Sequence, residues 1–498
     1  MRIAAVDVGS NSIHLVVVEA DPLGGQKVLD RQKAMVRLAR GEAQSGQIGP
    51  EAFQAGLEAL LQMQKTITGL GCETVMACGT AALRDARNAG DFLREAEAIG
   101  LPIRVISGEE EARLIFEAVR HAIPFPEGPA ALLDIGGGST ELTWMESGQV
   151  LASTSLPWGL QRLADAVPTS DPPTPKDLQK LRRFMNRILR RARKDLPKDL
   201  PAPELVLGTS GTLEDLAKAA SGSGGFNLVQ LRRLKKHLWQ LDAAGRIQLG
   251  VDPKRAEVLH VGAEWAFAIM KWLGAERLRH LPVGLREGMV WEALKHGGAA
   301  IPPLSERRRA SVEGLAARLD PDPGHSRHVA FLSDRLFLEL KPYFELGDRE
   351  REWLASAARL HDVGFSVSEQ GHHKHGAYLV RNSRLQGFWP EEVELLANVI
   401  RHHRGKAPDP AKHEAFRALA PWHQGVVRKL SAILRAADAL DRRRRQSVRD
   451  LRVELDGEKA IIHVRGAGDL EPELDALETK GQLLAQSLDR CLEIRVDG

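Results

Sequence analysis

The sequence predicts an α/β fold in which two similar lobes face each other across a cleft, followed by a helical region and a small α/β tail. Three observations carry this prediction. The segments AAVDVGSNSIHLVV (4–17) and ALLDIGGGSTELTW (131–144) share one pattern, placing Asp7 on Asp134, Gly9 on Gly136, Ser12 on Ser139 and Leu15 on Leu142. Each is an apolar run, an Asp, a Gly/Ser loop and a second apolar run, which reads as strand, tight turn and returning strand. A second echo sets VMACGTAALRDA (75–86) on VLGTSGTLEDLA (206–217), with Leu83 on Leu213 and Asp85 on Asp215. The two offsets, 127 residues (7 to 134) and 130 residues (83 to 213), nearly agree, so one α/β unit occurs twice. Beyond GGAAIPPLSERRR (297–309) the apolar spacing turns helical.

In the first lobe, strands are predicted at 2–8, 14–19, 27–37, 74–78 and 103–106, and helices at 50–70, 91–99 and 109–121. After the break PFPEGP (124–129) the order repeats: strand 131–135, glycine loop, strand 142–146, helix 176–194, strand 205–207, the loop GTSGT (208–212) and another helix. Past the linker, helices are expected at 326–340, 348–360, 375–383, 391–402 and 425–442. LRVELDGEKAIIHVRG (451–466) is a hairpin around Asp456-Gly457, followed by a helix and a strand at 492–496. The resulting domains are 1–125, 126–300, 305–445 and 446–498.

A chain of 498 residues exceeds what one core usually organises, and 43% hydrophobic with 27% charged content is ordinary for a globular protein. Lys plus Arg (69) nearly balances Asp plus Glu (66), so net charge selects no partner and no specific nucleic acid is expected. The basic runs 176–194, 307–309 and 442–445 are either solvated helix faces or, if they line one groove, attractors of a long polyanion. Cys72, Cys78 and Cys491 lack metal-type spacing and read as thiols of a reducing compartment. No run approaches the roughly 20 apolar residues of a membrane span, and residues 1–10 do not resemble a cleavable signal. A cytoplasmic location without a membrane partner is the expectation.

The two Asp–Gly loops carry the chemistry. Phosphoanhydride hydrolysis asks a protein chiefly for positioning and charge neutralisation. Gly9, Gly136, Gly137 and Gly138 would let backbone N–H groups approach phosphate oxygens, with Ser10, Asn11, Ser12 and Ser139 as further donors and Thr209, Ser210 and Gly211 forming a third loop. Asp7 and Asp134 end buried strands and suit Mg²⁺ or its water shell. SGEEEARLIF (107–116) opens a helix with three glutamates; Glu111, and Glu141 just past the second loop, are candidates to orient or deprotonate an attacking water. Arg84 and Arg286 are either phosphate clamps or salt-bridge partners.

DVGSNSIHLVV, GEEEARLIF, DIGGGSTEL, GTSGT and LREG, in this order, resemble the exopolyphosphatase/guanosine pentaphosphate phosphohydrolase (Ppx/GppA) family. That resemblance implies a duplicated actin-like (ribonuclease H-like) fold of the ATPase superfamily, with Glu111 as catalytic carboxylate and Asp134 and Glu141 assisting with Mg²⁺ (or Mn²⁺) and water. One residue more separates Glu111 from Glu141 than in the family pattern, which lengthens the PFPEGP loop. LHDVG, GHHKHGAYLV, GFWPEE and RHHRG resemble the helical HD-like domain of the family's long members. There His328, His361, Asp362 and Asp438 reproduce a His … His-Asp … Asp metal series, with His372, His373, His375, His402 and His403 nearby.

The expected activity is removal of terminal orthophosphate from inorganic polyphosphate by a processive exopolyphosphatase acting as a homodimer. The alternatives are hydrolysis of guanosine pentaphosphate to the tetraphosphate, a phosphotransferase on the same fold, and a non-catalytic sensor of alarmone or polyphosphate.

Overall fold

The computed structural model describes residues 1–20, 26–39, 46–221, 224–298, 302–383 and 385–497. The chain divides into two compact units, Met1–Ile301 and Pro302–Gly498.

The first unit holds two sheets. β1 (Arg2–Val8), β2 (Ser12–Ala20), β3 (Gln26–Met35), β4 (Thr74–Gly79) and β5 (Arg104–Val105) lie in the order β3-β2-β1-β4-β5. β1 is central because Ile3, Ala4, Ala5 and Val6 are all fully buried, as a strand covered on both faces requires. The second sheet has the order β10-β11-β9-β6-β7-β8, built from β6 (Ala130–Ile135), β7 (Thr140–Glu146), β8 (Gln149–Leu156), β9 (Leu205–Gly208), β10 (Gly225–Asn227) and β11 (Arg277–His280). β1 pairs antiparallel with β2 and parallel with β4; β6 pairs antiparallel with β7 and parallel with β9.

The duplication extends to single hydrogen bonds. Gly9 N–H donates to Ser12 O at 3.1 Å and Gly136 N–H to Ser139 O at 3.0 Å, closing the same turn in both lobes. Gly79 and Gly208 end equivalent strands: an added Cβ would stand 2.6 Å from Leu83 Cδ1 in one and 2.8 Å from Leu213 Cδ1 in the other. The second lobe has one more residue between that glycine and its leucine, so the echo read without gaps slips by one at the glycine.

Helix Gly108–Ala122 starts on Ser107, whose hydroxyl accepts from Glu110 N–H, and buries Leu114, Ile115 and Val119. Helix Leu285–His296 crosses it so closely that a Cβ on Gly288 would meet Leu114 O at 2.0 Å. Helix Pro175–Ala192, capped by Thr174 and Asp177, buries Leu178, Leu181, Met185, Ile188 and Leu189 and turns most of its basic residues to solvent. Of the readings for run 176–194, the solvated face is the one this unit displays.

In the second unit, helices Leu304–Leu319, Pro323–Phe344, Asp348–Leu360, His372–Asn382, Pro390–His402 and Pro421–Ala439 precede β12 (Val448–Asp456), β13 (Lys459–Gly466) and β14 (Cys491–Val496), paired in that order. One hydrophobic core joins Leu332, Leu336, Trp353, Leu395 and Ile433 of the helices to Val448, Ile462 and Val464 of the strands. The linker expected at 297–309 is corrected at its end. Residues 304–309 begin a helix, and Arg307 and Arg308 are buried. Arg308 donates to Glu392 at 3.1 and 3.2 Å, to Glu352 at 2.7 Å and to Gly387 O at 2.8 Å, so it is a structural cation of the core and not a groove lining. Residues 299–301 lie outside the described residues.

Candidate active site

Where the two glycine hairpins meet, the first unit gathers four carboxylates, Glu111 and Glu141 buried and Asp7 and Asp134 partly buried. Asp7 and Asp134 stand at equivalent ends of β1 and β6; across the hairpins Asp7 opposes His14 and Asp134 opposes Glu141. Helix Gly108–Ala122 adds Glu111 from its first turn. Its start is fixed against β8, for a Cβ on Gly108 would lie 2.2 Å from Ser155 Oγ. Ser155 in turn donates to Glu141 Oε1 at 2.8 Å, Ser139 also hydrogen-bonds the Glu141 carboxylate, and Thr209 donates to Asp134 Oδ2 at 2.6 Å.

The hairpins touch backbone to side chain. A Cβ on Gly138 would lie 2.5 Å from Ser10 Oγ and 2.7 Å from Ala81 Cβ, and one on Gly137 would lie 3.3 Å from Ser10 Cβ and 3.4 Å from Asn11 Cβ. Behind them, Leu160, Gln161 and Arg162 donate to the carbonyls of Gly136 and Gly137, so the start of helix Leu160–Ala166 holds the second loop.

Burial governs the electrostatics. Loss of water pushes Asp7 up to about 7, with Arg286 opposing and Asp134 adding to the rise. Asp134 rises to about 6 by burial, against the Thr209 hydrogen bond. Glu141 rises to about 8 by burial and by the Asp134 charge. Glu111 is raised well above its ordinary value, first by burial, then by Glu141, Asp7 and Asp134; Arg84, whose Nη1 lies 3.7 Å from Glu111 Oε2, opposes this. Four carboxylates with so little positive charge around them are an electrostatic sink for a cation.

Glu111 Oε2, Glu141 Oε2 and Ser10 Oγ are buried without a hydrogen-bond partner. This donor set fits Mg²⁺, an ion that takes one or two carboxylates and completes its octahedron with water and phosphate oxygens. Asp7, Asp134, Glu141 and Glu111 are the residues that could hold it.

The remaining predicted residues divide by what occupies them. Ser210 Oγ accepts from Ile135 N–H at 3.3 Å and Leu213 N–H at 3.4 Å, so it braces the loop. Ser12 Oγ is 2.7 Å from His14 Nε2. The Asn11 carbonyl accepts from Val36 and Arg37. Arg84 donates to Ile106 O at 2.9 Å while facing Glu111, which places it beside a carboxylate as well as in the site. Arg286 acts on Asp7 and His14 through its charge.

Sequence reasoning missed three contributors. Ser155 sits on the edge strand β8, whose small polar residues give no strand signal. Arg255 packs over the third loop, where a Cβ on Gly211 would lie 2.7 Å from its Nη1, and pairs with Asp215 at 2.6 Å. His14 was visible only as the residue aligned with Glu141; burial and the Arg286, Lys33 and Arg255 charges lower its pKa to about 3.

A second cluster lies in the other unit, and here the sequence series is corrected. His325, not His328, faces the His361-Asp362 pair and Asp438, with Nε2 3.4 Å from Asp438 Oδ1 and 3.7 Å from Asp362 Oδ2. His328 lies one turn further along helix Pro323–Phe344 and stacks on Phe331. Of the neighbouring histidines, His372 and His403 join the cluster, whereas His402 packs on His413 and Phe416.

Duplicated sheets of matching topology, with glycine hairpins meeting over buried carboxylates, define a two-lobed, actin-like phosphoryl-handling protein. Residues 16–296 match the model of the Ppx/GppA phosphatase family, and residues 307–489 match its domain III. The first match alone spans more than half of the chain, and the chain belongs to the Ppx/GppA phosphatase family, whose members are phosphoanhydride hydrolases. It is similar to the exopolyphosphatase of Cytophaga hutchinsonii, at 25% identity and a TM-score of 0.55 over 59% of this chain and 98% of that one. The Aquifex aeolicus member of the Ppx/GppA family gives 25% identity and a TM-score of 0.51 over 59% and 98%. Among the described residues, no helix is long and apolar enough to cross a membrane.

Proposed function

We propose that this chain is an exopolyphosphatase that releases terminal orthophosphate from inorganic polyphosphate. The observation that carries the reading is the buried Glu111 carboxylate, whose Oε2 accepts no hydrogen bond, in the field of Asp7, Asp134 and Glu141 beside two glycine hairpins. The similar Cytophaga protein is itself an exopolyphosphatase.

The terminal phosphoryl group sits against the hairpins, where Ser10 Oγ is buried without a hydrogen-bond partner and the Arg286 charge acts on Asp7. Glu111 takes the proton of the attacking water, whose oxygen bonds to the terminal phosphorus as the bridging P–O bond breaks and the shortened chain leaves with its electron pair. Glu141, held by Ser139 and Ser155, and Asp134, held by Thr209, fix the far side of the site. A bound Mg²⁺ supplies neutralisation of phosphate oxygens and keeps the carboxylates ionised at neutral pH.

The test is phosphate release from long-chain polyphosphate and from guanosine pentaphosphate, measured side by side with Mg²⁺ for the parent and Glu111→Gln. Faster polyphosphate turnover, falling by roughly 10²–10⁴-fold in the variant, is the expected result for loss of a general base. Preference for the nucleotide would reassign the substrate, and full activity of Glu111→Gln would remove the base.

A further inference from the structure

The second unit contains a histidine–aspartate cluster with no part in the chemistry above. His325, His361, His372 and His403 are buried, as is Asp362, and Asp438 is nearly so. They come from three different helices and the turns that follow two others, so the fold and not one sequence motif collects them.

The ring orientations show what the cluster is built for. His361 Nδ1 is 2.7 Å from Ala358 O, His403 Nδ1 2.7 Å from Ile400 O and His372 Nδ1 3.2 Å from Glu369 O. A carbonyl only accepts, so each Nδ1 carries the proton and each neutral ring turns an unprotonated Nε2 inward. His325 Nδ1 is likewise held 2.8 Å from Asp441 Oδ2. Ring nitrogens fixed from behind by carbonyl or carboxylate groups are the usual second layer of a metal site.

The inward atoms then face each other as lone pairs. His372 Nε2 lies 3.4 Å from His403 Nε2, an arrangement in which neither neutral ring has a proton to give. His361 Nε2 is fully buried without a hydrogen-bond partner. Around Asp362 Oδ1, His361 Nε2 stands at 3.5 Å and His372 Nε2 at 3.6 Å; Asp438 Oδ1 is 3.4 Å from His325 Nε2 and 3.9 Å from His361 Nε2. Two nitrogens bound about 2.1 Å from one tetrahedral ion would be roughly 3.4 Å apart. The donors form two groups, His325–His361–Asp362 and Asp362–His372–His403, which share Asp362.

We propose that the second unit holds two divalent transition-metal ions bridged by Asp362, one bound by His325, His361 and Asp438 and the other by His372 and His403, with a phosphoryl group as their exogenous ligand. Imidazole-rich donors with carboxylate select Fe, Co, Ni or Zn over Mg²⁺. The ligand class follows from the pocket at the cluster, which is lined by Arg404, Arg442, Arg444 and Lys480 with Phe365. Arg444 already donates to Asp362 Oδ2 at 2.7 Å and Lys480 to Asp438 Oδ2 at 2.7 Å, so both cations stand where a metal-bound phosphate would meet them.

The full chain, dialysed against Co²⁺ in excess Mg²⁺, should retain close to two Co²⁺ per chain by elemental analysis and show the visible d–d bands of imidazole ligation. His372→Gln and His403→Gln should each lose one ion, and Asp362→Asn both. Glu141→Gln, in the other unit, should lose neither. Inorganic phosphate should shift the bands. Retention equal to that of a folded Asp362→Asn chain, or a single ion indifferent to His403→Gln, would overturn the metal pair. Bands unmoved by phosphate would overturn the ligand class.

Discussion

Replacing Glu141 by glutamine should stabilise the metal-free protein while abolishing its activity. Below pH 4.5, its ordinary pKa, the carboxyl is protonated both folded and unfolded and costs nothing; as pH rises the unfolded chain ionises first, so stability falls until the folded group ionises at about 8. Each pH unit in that window is worth about 1.4 kcal/mol, so the penalty at pH 7 is about 3 kcal/mol. Ser155 Oγ can still donate to the amide oxygen, but the new N–H₂ replaces an atom that has no partner, which takes back about 1 kcal/mol. The assay is hydrogen exchange of β6 and β7 across a urea series, with chelator, from pH 5 to pH 8.5; a local probe is needed because two compact units need not unfold together. The parent should lose stability with pH more steeply than the variant, which keeps the raised Asp7, Asp134 and Glu111 but lacks the Glu141 contribution. Parallel pH dependences, or a variant less stable than the parent at pH 8, would refute the account of Glu141.

Other perturbations give separate readings. Arg84 lowers the pKa of both Glu111 and Glu141, so Arg84→Ala should move the acidic limb of the pH–rate profile to higher pH, and Arg84→Lys less far. Gly138→Ala drives a methyl group into Ser10 and Ala81 and should cost most of the activity; Ser10→Gly in the same chain should restore part of the fold, seen as a recovered melting temperature. Arg308→Met leaves the buried Glu392 with Arg349, Trp353 and the Trp389 N–H, and should destabilise the second unit by about 3 kcal/mol in urea melts.

The repeat in the sequence is legible because Asp and Gly at a strand end are needed twice for the same turn, and no substitute gives both the buried acid and the tight loop. The residues around them are harder to read. Ser155 reaches Glu141 from a strand whose edge position lets it be polar, so its residues look like a loop. Arg308 sits in a run that reads as surface charge, and its burial is explained by Glu352, Gly387 O and Glu392, which are 44, 79 and 84 residues away. His325 and His328 are one helical turn apart, and a sequence does not say how that helix is rotated toward Asp362. Arg255 enters the site through a short helix, Pro253–Ala256, with no pattern long enough to announce it.

The contact between Gly138 and Ser10 also has a history in it. Two copies of one hairpin pattern meet at a seam with no space for one more carbon atom, so a change at either position is judged by what the other half carries. Drift in one repeat is therefore conditional on the other, and the two halves must evolve as a correlated pair. Their freedom to diverge lies instead across the hairpins, where one copy sets His14 opposite Asp7 and the other sets Glu141 opposite the equivalent Asp134.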